Sequence, residues 1–311
     1  MTEIVKPFLK WVGGKTQIID TLIEHYPKKM NNYHDIFLGG GSTLLALLSY
    51  VKDGKILVSN KIYAYDLNSD LINVYKNVQK TPRKLYKKIK EIMNEYSSCN
   101  DDPTKDEIDR KAKTKEIALR SRESYYYWIR NEYNNLSIEQ KTDIIGSAMF
   151  IFLNKTCFRG VYRIGTHGFN VPFGHYANSK IIEKEQLLKI SELIKNVKFK
   201  CFGFEKSLLD IKYGDFAYLD PPYAPEKDTS FVKYNSDGFD IEQHKKLFSM
   251  CEKLRLNKIK FMMSNSNVKL VIDAFPKDKY STEIIECRRA IHSKNPAKKT
   301  NEMIVETINP F

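Results

Sequence analysis

Strand, helix and strand follow one another in the first third of this chain, and that order constrains its fold most. DIFLGGGS (Asp35 to Ser42) reads as a short strand running into glycines, and STLLALLSY (Ser42 to Tyr50) as a helix with Ser42 at its N-cap. KIYAYDLNSD (Lys61 to Asp70) reads as a second strand ending in acidic residues and Asn, and LINVYKNVQ (Leu71 to Gln79) as the next helix. This spacing is half of a doubly wound parallel sheet. The last third repeats the grammar. DFAYLDPPY (Asp215 to Tyr223) is a strand, Asp240 to Asn257 a helix with an Asp N-cap, and KIKFMMSNSN (Lys258 to Asn267) a buried strand. Ser281 to Ile291 and Asn301 to Ile308 pattern as an antiparallel pair.

The middle is different. Thr81 to Glu123 mixes both signs of charge densely, the pattern of solvated helices, and Ser97 to Glu107 reads as a loop. Ile144 to Ile182 contains no Asp or Glu but carries Lys155, Arg159, Arg163 and Lys180 among seven aromatic residues. It reads either as a buried apolar helix followed by a glycine-rich loop, or as a surface that approaches nucleic acid without repelling phosphates. The expected organisation is one α/β domain split by an insertion: 1–72, an inserted segment 73–180, and 181–311.

Charge and cysteines narrow the function class. Lys plus Arg number 51 and Asp plus Glu 38, so the 311-residue chain carries a formal +13. That excess fits a polyanionic partner or a solubilising surface equally well. The five cysteines form no CxxC pair, which leaves a disulfide framework or structural zinc without support and points to reduced thiols inside a cell. No run of about 18 apolar residues marks a membrane span, and the N-terminal segment lacks a signal-peptide core.

Three clusters carry chemistry. Gly39, Gly40 and Gly41 permit a tight turn or a close approach to a ligand at a strand's carboxyl end. GK[ST] is absent and position 44 is Leu, so neither a P-loop nor a full GxGxxG is present. Asp66, at the end of the next strand, can accept both hydroxyls of a ribose or cap the following helix. Asp220-Pro221-Pro222-Tyr223 is the sharpest signal. Two prolines fix the backbone and remove two N–H donors, leaving a carboxylate, a carbonyl and an aromatic face at a rigid strand end. An exocyclic amine on a planar base is a poor nucleophile, because its lone pair is delocalised. Accepting its two N–H bonds at Asp220 and at the Pro221 carbonyl frees the lone pair for attack, with Tyr223 stacked on the base. A DPP turn in an ordinary loop is the plainer alternative. Near the N-terminus, residues 7–15 set Trp11 between Lys10 and Lys15 beside two glycines.

Five ordered blocks then carry a resemblance: FLKWVGGK (Phe8 to Lys15), DIFLGGGS, YDLNSDLI (Tyr65 to Ile72), FLNKTCFRGVYR with GFNVPFG (Phe152 to Arg163, Gly168 to Gly174), and DPPYAP (Asp220 to Pro225). The sequence resembles the Dam-type, D12-class (α-group) DNA adenine-N6 methyltransferases over nearly its whole length, and SNSN and RRAI fit as well.

The resemblance implies a Rossmann-like, S-adenosylmethionine-dependent methyltransferase sheet with a mainly helical target-recognition insertion. It implies that Trp11, Lys15, Asp66 and Asp220 line the cofactor site, with Phe37, Gly39, Gly40, Gly41 and Ser42 under the methionine part. Asp220, Pro221, Pro222 and Tyr223 become the catalytic motif that holds an adenine flipped out of duplex DNA. Lys10, Arg159 and Arg163 become DNA contacts, with Arg163 on a guanine, and Arg288, Arg289, Lys298 and Lys299 phosphate contacts. The family often has Asn-Gly where this chain has Arg159-Gly160, and the loop before Phe169 is one residue shorter here. Both differences fall in the region that reads sequence, and the implied target is GATC or a related site. No metal is called for. A monomer or weak dimer in the cytoplasm of a bacterial or virus-infected cell is expected, and a cognate restriction endonuclease is compatible with it. The competing readings are an N4-cytosine methyltransferase, a catalytically silent DNA-binding relic, and a nicotinamide-dependent oxidoreductase, which gives no reason for DPPY.

Overall fold

The structure is a computed structural model. It describes residues 2–100, 104, 107–176, 181–225, 239–288 and 299–308, with the side chains of 287, 288, 299 and 300 left aside.

Seven strands form the main sheet. They are β1 (Tyr33–Asp35), β2 (Ile62–Asp66), β3 (Lys198–Cys201), β4 (Phe216–Leu219), β5 (Lys260–Ser266), β6 (Tyr280–Arg288) and β7 (Lys299–Thr307). Their order is β3-β2-β1-β4-β5-β7-β6. The first five are parallel, while β7 runs antiparallel between β5 and β6. The expected doubly wound sheet and closing antiparallel pair are therefore both present, and the whole is a mixed α/β fold consistent with a methyltransferase sheet. Strand order reverses between β1 and β4, where the loops that follow a parallel sheet diverge and leave a crevice.

Alternation along the strands explains why both faces are covered. In β4, Phe216 and Tyr218 join one apolar cluster, Ala217 and Leu219 the other. In β5, Met262 faces the first, and Phe261 and Met263 the second. A strand buried on both faces reads as a continuous apolar run, as FAYL does.

Seven helices matter here: α1 (Ser42–Lys52), α2 (Ser69–Lys80), α3 (Pro82–Ser98), α4 (Arg122–Asn135), α5 (Ile144–Thr156), α6 (Lys184–Leu193) and α7 (Ile241–Leu256). The mixed-charge stretch is helical over Pro82–Ser98, as expected, but not merely solvated. The loop expected from Ser97 begins only after Ser98, and 101–103, 105 and 106 lie outside the described residues. In α3, Leu85, Ile89, Ile92 and Tyr96 recur every three to four residues and are buried, with Pro82 in the first turn. Helix α5 is apolar nearly all round and lies within the core, its N-terminus capped by Asp143. The first apolar cluster runs without a break from the sheet through α2 to α6.

One capping expectation is corrected. Ser42 is the first helical residue of α1, and Gly41, in a left-handed conformation at φ +71°, is the N-cap. A Cβ at Gly41 would lie 2.3 Å from the Tyr75 hydroxyl, so glycine alone fits there. Among the described residues no helix is long and apolar enough to cross a membrane.

Candidate active site

Strand β4 ends at Leu219, and the next residue is Asp220, so the central strand delivers this carboxylate to the crevice beside β1. The Lys15 ammonium lies 2.8 Å from Asp220 Oδ2, donates to the Gly13 carbonyl at 2.7 Å, and sits 4.9 Å from the Tyr223 ring centre. Lys15 is almost wholly buried (3% exposed), and its backbone N–H donates to Ser42 Oγ at 3.1 Å. The hydroxyl that does not cap α1 thus pins the lysine instead. Burial pushes the Asp220 carboxyl up to about 6, while the Lys15 charge pulls it back down.

The DPPY turn is anchored from two neighbouring strands. Ala224 N–H donates to Asn265 Oδ1 at 3.0 Å, and Ser266 Oγ donates to the Ala224 carbonyl. The Tyr223 hydroxyl donates to Glu302 Oε2 on β7 at 2.8 Å. Among the described residues no donor reaches the Pro221 carbonyl. Pro221 is buried, Pro222 exposed and Tyr223 half-buried, so an aromatic face and an unpartnered carbonyl meet at the strand tip.

The glycine turn follows β1. Asp66, at the end of β2, accepts the Gly39 N–H on Oδ2 and the Asn68 N–H on Oδ1, both at 2.9 Å. Burial raises its carboxyl, and the backbone donors oppose the rise. Of the two readings of Asp66, helix capping goes to its neighbour: Asn68 caps α2 through the Leu71 N–H. The close approach that Gly39 and Gly40 permit is to Trp11. A Cβ on either would come within 3 Å of the Trp11 side chain. Trp11 in turn stacks on Tyr162, with ring centres 6.1 Å apart. Phe37 lies apart from that stack, half-buried against Phe204 and Phe239 under the second face of the sheet.

Several participants escaped the sequence reading. Asp35 ends β1 fully buried. Its Oδ2 accepts from Thr43 at 3.0 Å and from Tyr33 at 3.4 Å, and its Oδ1 has no partner. Burial lifts its carboxyl to about 7, the Asp220 charge adding to the rise. Leu67 is 78% exposed beside Asp66, an apolar face with no packing partner to explain it. Asp70 accepts from both Tyr133 and Tyr162, at 2.6 and 3.0 Å. Asp35, Leu67 and Asp70 all lie in or beside the quoted blocks, whereas Glu302 and its bond to Tyr223 left no signal in the local pattern.

The residues expected to meet DNA cluster at the edge of the same region. Lys10 exchanges two backbone hydrogen bonds with the Asn154 side chain, and its ammonium lies 3.6 Å from the Tyr176 ring centre. Gly160 must be glycine, because a Cβ there would meet Lys10 Cβ at 2.3 Å. Arg159 is exposed on a turn at φ +56°, its N–H donating to Tyr176. Arg163 is exposed at the base of the small hairpin Ile164–Gly165/Gly168–Phe169. The acid-free stretch is thus a buried helix followed by a basic, aromatic loop. Arg289 and Lys298 lie outside the described residues, and only the backbones of Arg288 and Lys299 are described, at the ends of β6 and β7.

A family model of the D12 class N6 adenine-specific DNA methyltransferases matches residues 11–293. The chain belongs to that family. Type II methyltransferase M.MjaIII of Methanocaldococcus jannaschii is 33% identical over 304 residues, covering 95% of this chain and 96% of its own. Type II methyltransferase M1.LlaDCHI of Lactococcus lactis is 29% identical over 97% and 95%. The DNA adenine methylase of Escherichia coli is 27% identical over 98% and 96%. The match runs from Trp11 past the DPPY turn, so the D12-class assignment covers Lys15, the glycine turn, Asp66 and Asp220 to Tyr223. This D12-class enzyme is an adenine-specific DNA methyltransferase, and among its described residues no group of His, Cys, Asp and Glu side chains is arranged to hold a metal.

Proposed function

We propose that this enzyme binds S-adenosylmethionine in the crevice between β1 and β4 and methylates N6 of an adenine flipped from duplex DNA, at GATC or a related site. The observation that carries the reading is the Lys15–Asp220–Tyr223 arrangement at the point where strand order reverses.

The residues fit the cofactor. The Asp66 carboxylate accepts backbone N–H groups of Gly39, Asn68 and Leu67 and keeps acceptor capacity for a ribose hydroxyl. Leu67 offers an exposed apolar face beside it, and the Lys15–Asp220 pair suits a zwitterionic amino-acid tail. Trp11, Phe37 and the Gly39 to Ser42 turn complete the wall. When bound, the cofactor supplies an electrophilic methyl on a sulfonium.

The protein's part is to make the amine reactive. Asp220 accepts one N–H of the amino group and the Pro221 carbonyl the other, which holds the nitrogen toward tetrahedral geometry. The acceptors are already fixed by the prolines and by Asn265 and Ser266, so little reorganisation is left for the reacting state. Tyr223 stacks on the base, and Glu302 holds its ring in place. Base extrusion costs a few kcal/mol, which that stack offsets in part. Lys15 keeps Asp220 ionised near neutral pH, and the ionised carboxylate is the stronger acceptor.

Lys10, Arg159 and Arg163 contact DNA, Arg163 at a guanine, with Arg288, Arg289, Lys298 and Lys299 on phosphates. The segment 73–180 is the target-recognition insertion. The enzyme works as a monomer or weak dimer in the cytoplasm.

Labelled S-adenosylmethionine, mixed-sequence DNA and nucleoside analysis test the reading. N6-methyladenine is expected, and N4-methylcytosine would overturn it. Asp220→Ala should abolish turnover and leave DNA binding intact.

A further inference from the structure

Arg163 is an exposed arginine, yet one residue holds it at three points. Its Nε donates to Asn170 Oδ1 at 2.6 Å, its Nη2 donates to the Asn170 carbonyl at 3.2 Å, and its own carbonyl accepts the Asn170 N–H at 3.1 Å. The neighbourhood is built around this contact. A Cβ at Gly165 would lie 2.3 Å from Asn170 Nδ2, so the hairpin can place Asn170 there only with glycine opposite. One residue back, Phe169 exchanges two backbone hydrogen bonds with the Asn134 side chain of α4, at 2.8 and 3.0 Å. A Cβ at Gly168 would meet Asn134 Oδ1 at 2.5 Å. The platform under Asn170 is therefore tied to a core helix.

The guanidinium carries five N–H donors in a planar fork. Asn170 occupies the Nε donor and one on Nη2, which are the side edge of the fork. The pair left facing outward is the Nη1/Nη2 end. Guanine presents O6 and N7 as adjacent acceptors in the major groove, and a fork held in plane matches them two by two. An arginine free to rotate would lose more rotamer freedom on binding and could also adapt to another base.

We propose that Asn170 is a specificity-determining positioning residue, which fixes the Arg163 fork so that its outer edge reads one guanine. This rests on the reading that Arg163 contacts a guanine. Asn170 itself touches no base. Its removal should change the choice of sequence rather than the chemistry.

The test uses the full-length enzyme on unmethylated plasmid DNA, with single-molecule sequencing of methylated adenines. Wild type, Arg163→Ala, Asn170→Ala and Asn170→Asp are compared. Arg163→Ala identifies the guanine position as the one at which preference collapses. At that position Asn170→Ala should lower the preference for guanine about tenfold, with the other positions unchanged. Asn170→Asp keeps an acceptor for Nε and should retain the preference. The proposal is overturned if Asn170→Ala keeps the wild-type preference, if it slows methylation equally at all sequences, or if Asn170→Asp loses the preference as fully as Asn170→Ala. If Arg163→Ala keeps every preference, the base-reading role of Arg163 is what fails, and the positioning role falls with it.

Discussion

Replacing Lys15 by Met should move the acid limb of the methylation rate toward alkaline pH. On the proposed reading Asp220 accepts the amino N–H far more strongly as a carboxylate, and its carboxyl is raised to about 6 because burial outweighs the Lys15 charge. Activity therefore falls as pH drops through about 6 and is level above it. Removing the ammonium 2.8 Å away takes away the main influence opposing burial and leaves the weaker one of the Tyr223 hydroxyl. An opposite charge at such range is worth roughly 1–3 pKa units to a carboxyl, so the midpoint should rise to about 7–9. With a midpoint near 8, roughly a quarter of the sites would be ionised at pH 7.5, and the rate would recover near pH 9. Lys15 also lines the crevice, so weaker cofactor binding must be separated from the titration. Single-turnover methyl transfer at saturating S-adenosylmethionine and DNA, over pH 5 to 10, does this. Lys15→Arg keeps the charge and should keep the midpoint near 6. A Lys15→Met profile with its acid limb still near 6 would refute the claim that this lysine holds Asp220 ionised.

Asp35 has a carboxyl raised from its ordinary value to about 7, so stability present at low pH is lost as pH climbs through that range. Asp35→Asn should raise the melting temperature at pH 8 and leave it little changed at pH 4. The roughly three-unit span sets an upper bound of about 4 kcal/mol. Gly41→Ala should destabilise by about 1–3 kcal/mol in urea titrations, since it adds left-handed backbone strain to a clash with Tyr75. Tyr223→Ala should cost roughly 1–3 kcal/mol of stacking in kcat/KM. Tyr223→Phe keeps the ring, loses the hydroxyl that bonds Glu302 and helps lower the Asp220 carboxyl, and should cost less.

What was legible in the sequence was local. FAYL followed by two prolines describes a buried strand that must stop, and the strand does stop at Leu219. Three glycines before an apolar run mark a turn into a helix, and α1 begins there, although Gly41 and not Ser42 caps it. The antiparallel end of the sheet was legible too, from two alternating runs of similar length. What stayed hidden depends on adjacency across strands. Glu302 reaches Tyr223 only because β7 turns back between β5 and β6, and Asn265 reaches Ala224 only because β5 lies beside β4. Strand β3 was missed because KFKC, alternating exposed and buried at a sheet edge, carries too little apolar length to stand out. The tyrosines of α4 look like surface residues in sequence, yet Tyr125, Tyr126 and Tyr133 are buried with their hydroxyls bonded to Glu95, Val171 and Asp70.

The place of β7 in the sheet ties the enzyme's competence to the order of its synthesis. Ribosomes deliver the chain from its N-terminus, so β5 and the DPPY turn emerge well before the strand that separates β5 from β6. Until residues 299–307 arrive, β5 presents an open edge, and an open edge invites wrong pairing. The same late strand brings Glu302, so the Tyr223 ring has no anchor in a nascent chain. A polypeptide released before this strand is made would keep the prolines of the turn but lack the Glu302 bond to Tyr223. The turn is therefore anchored in full only once the last strand of the sheet is in place.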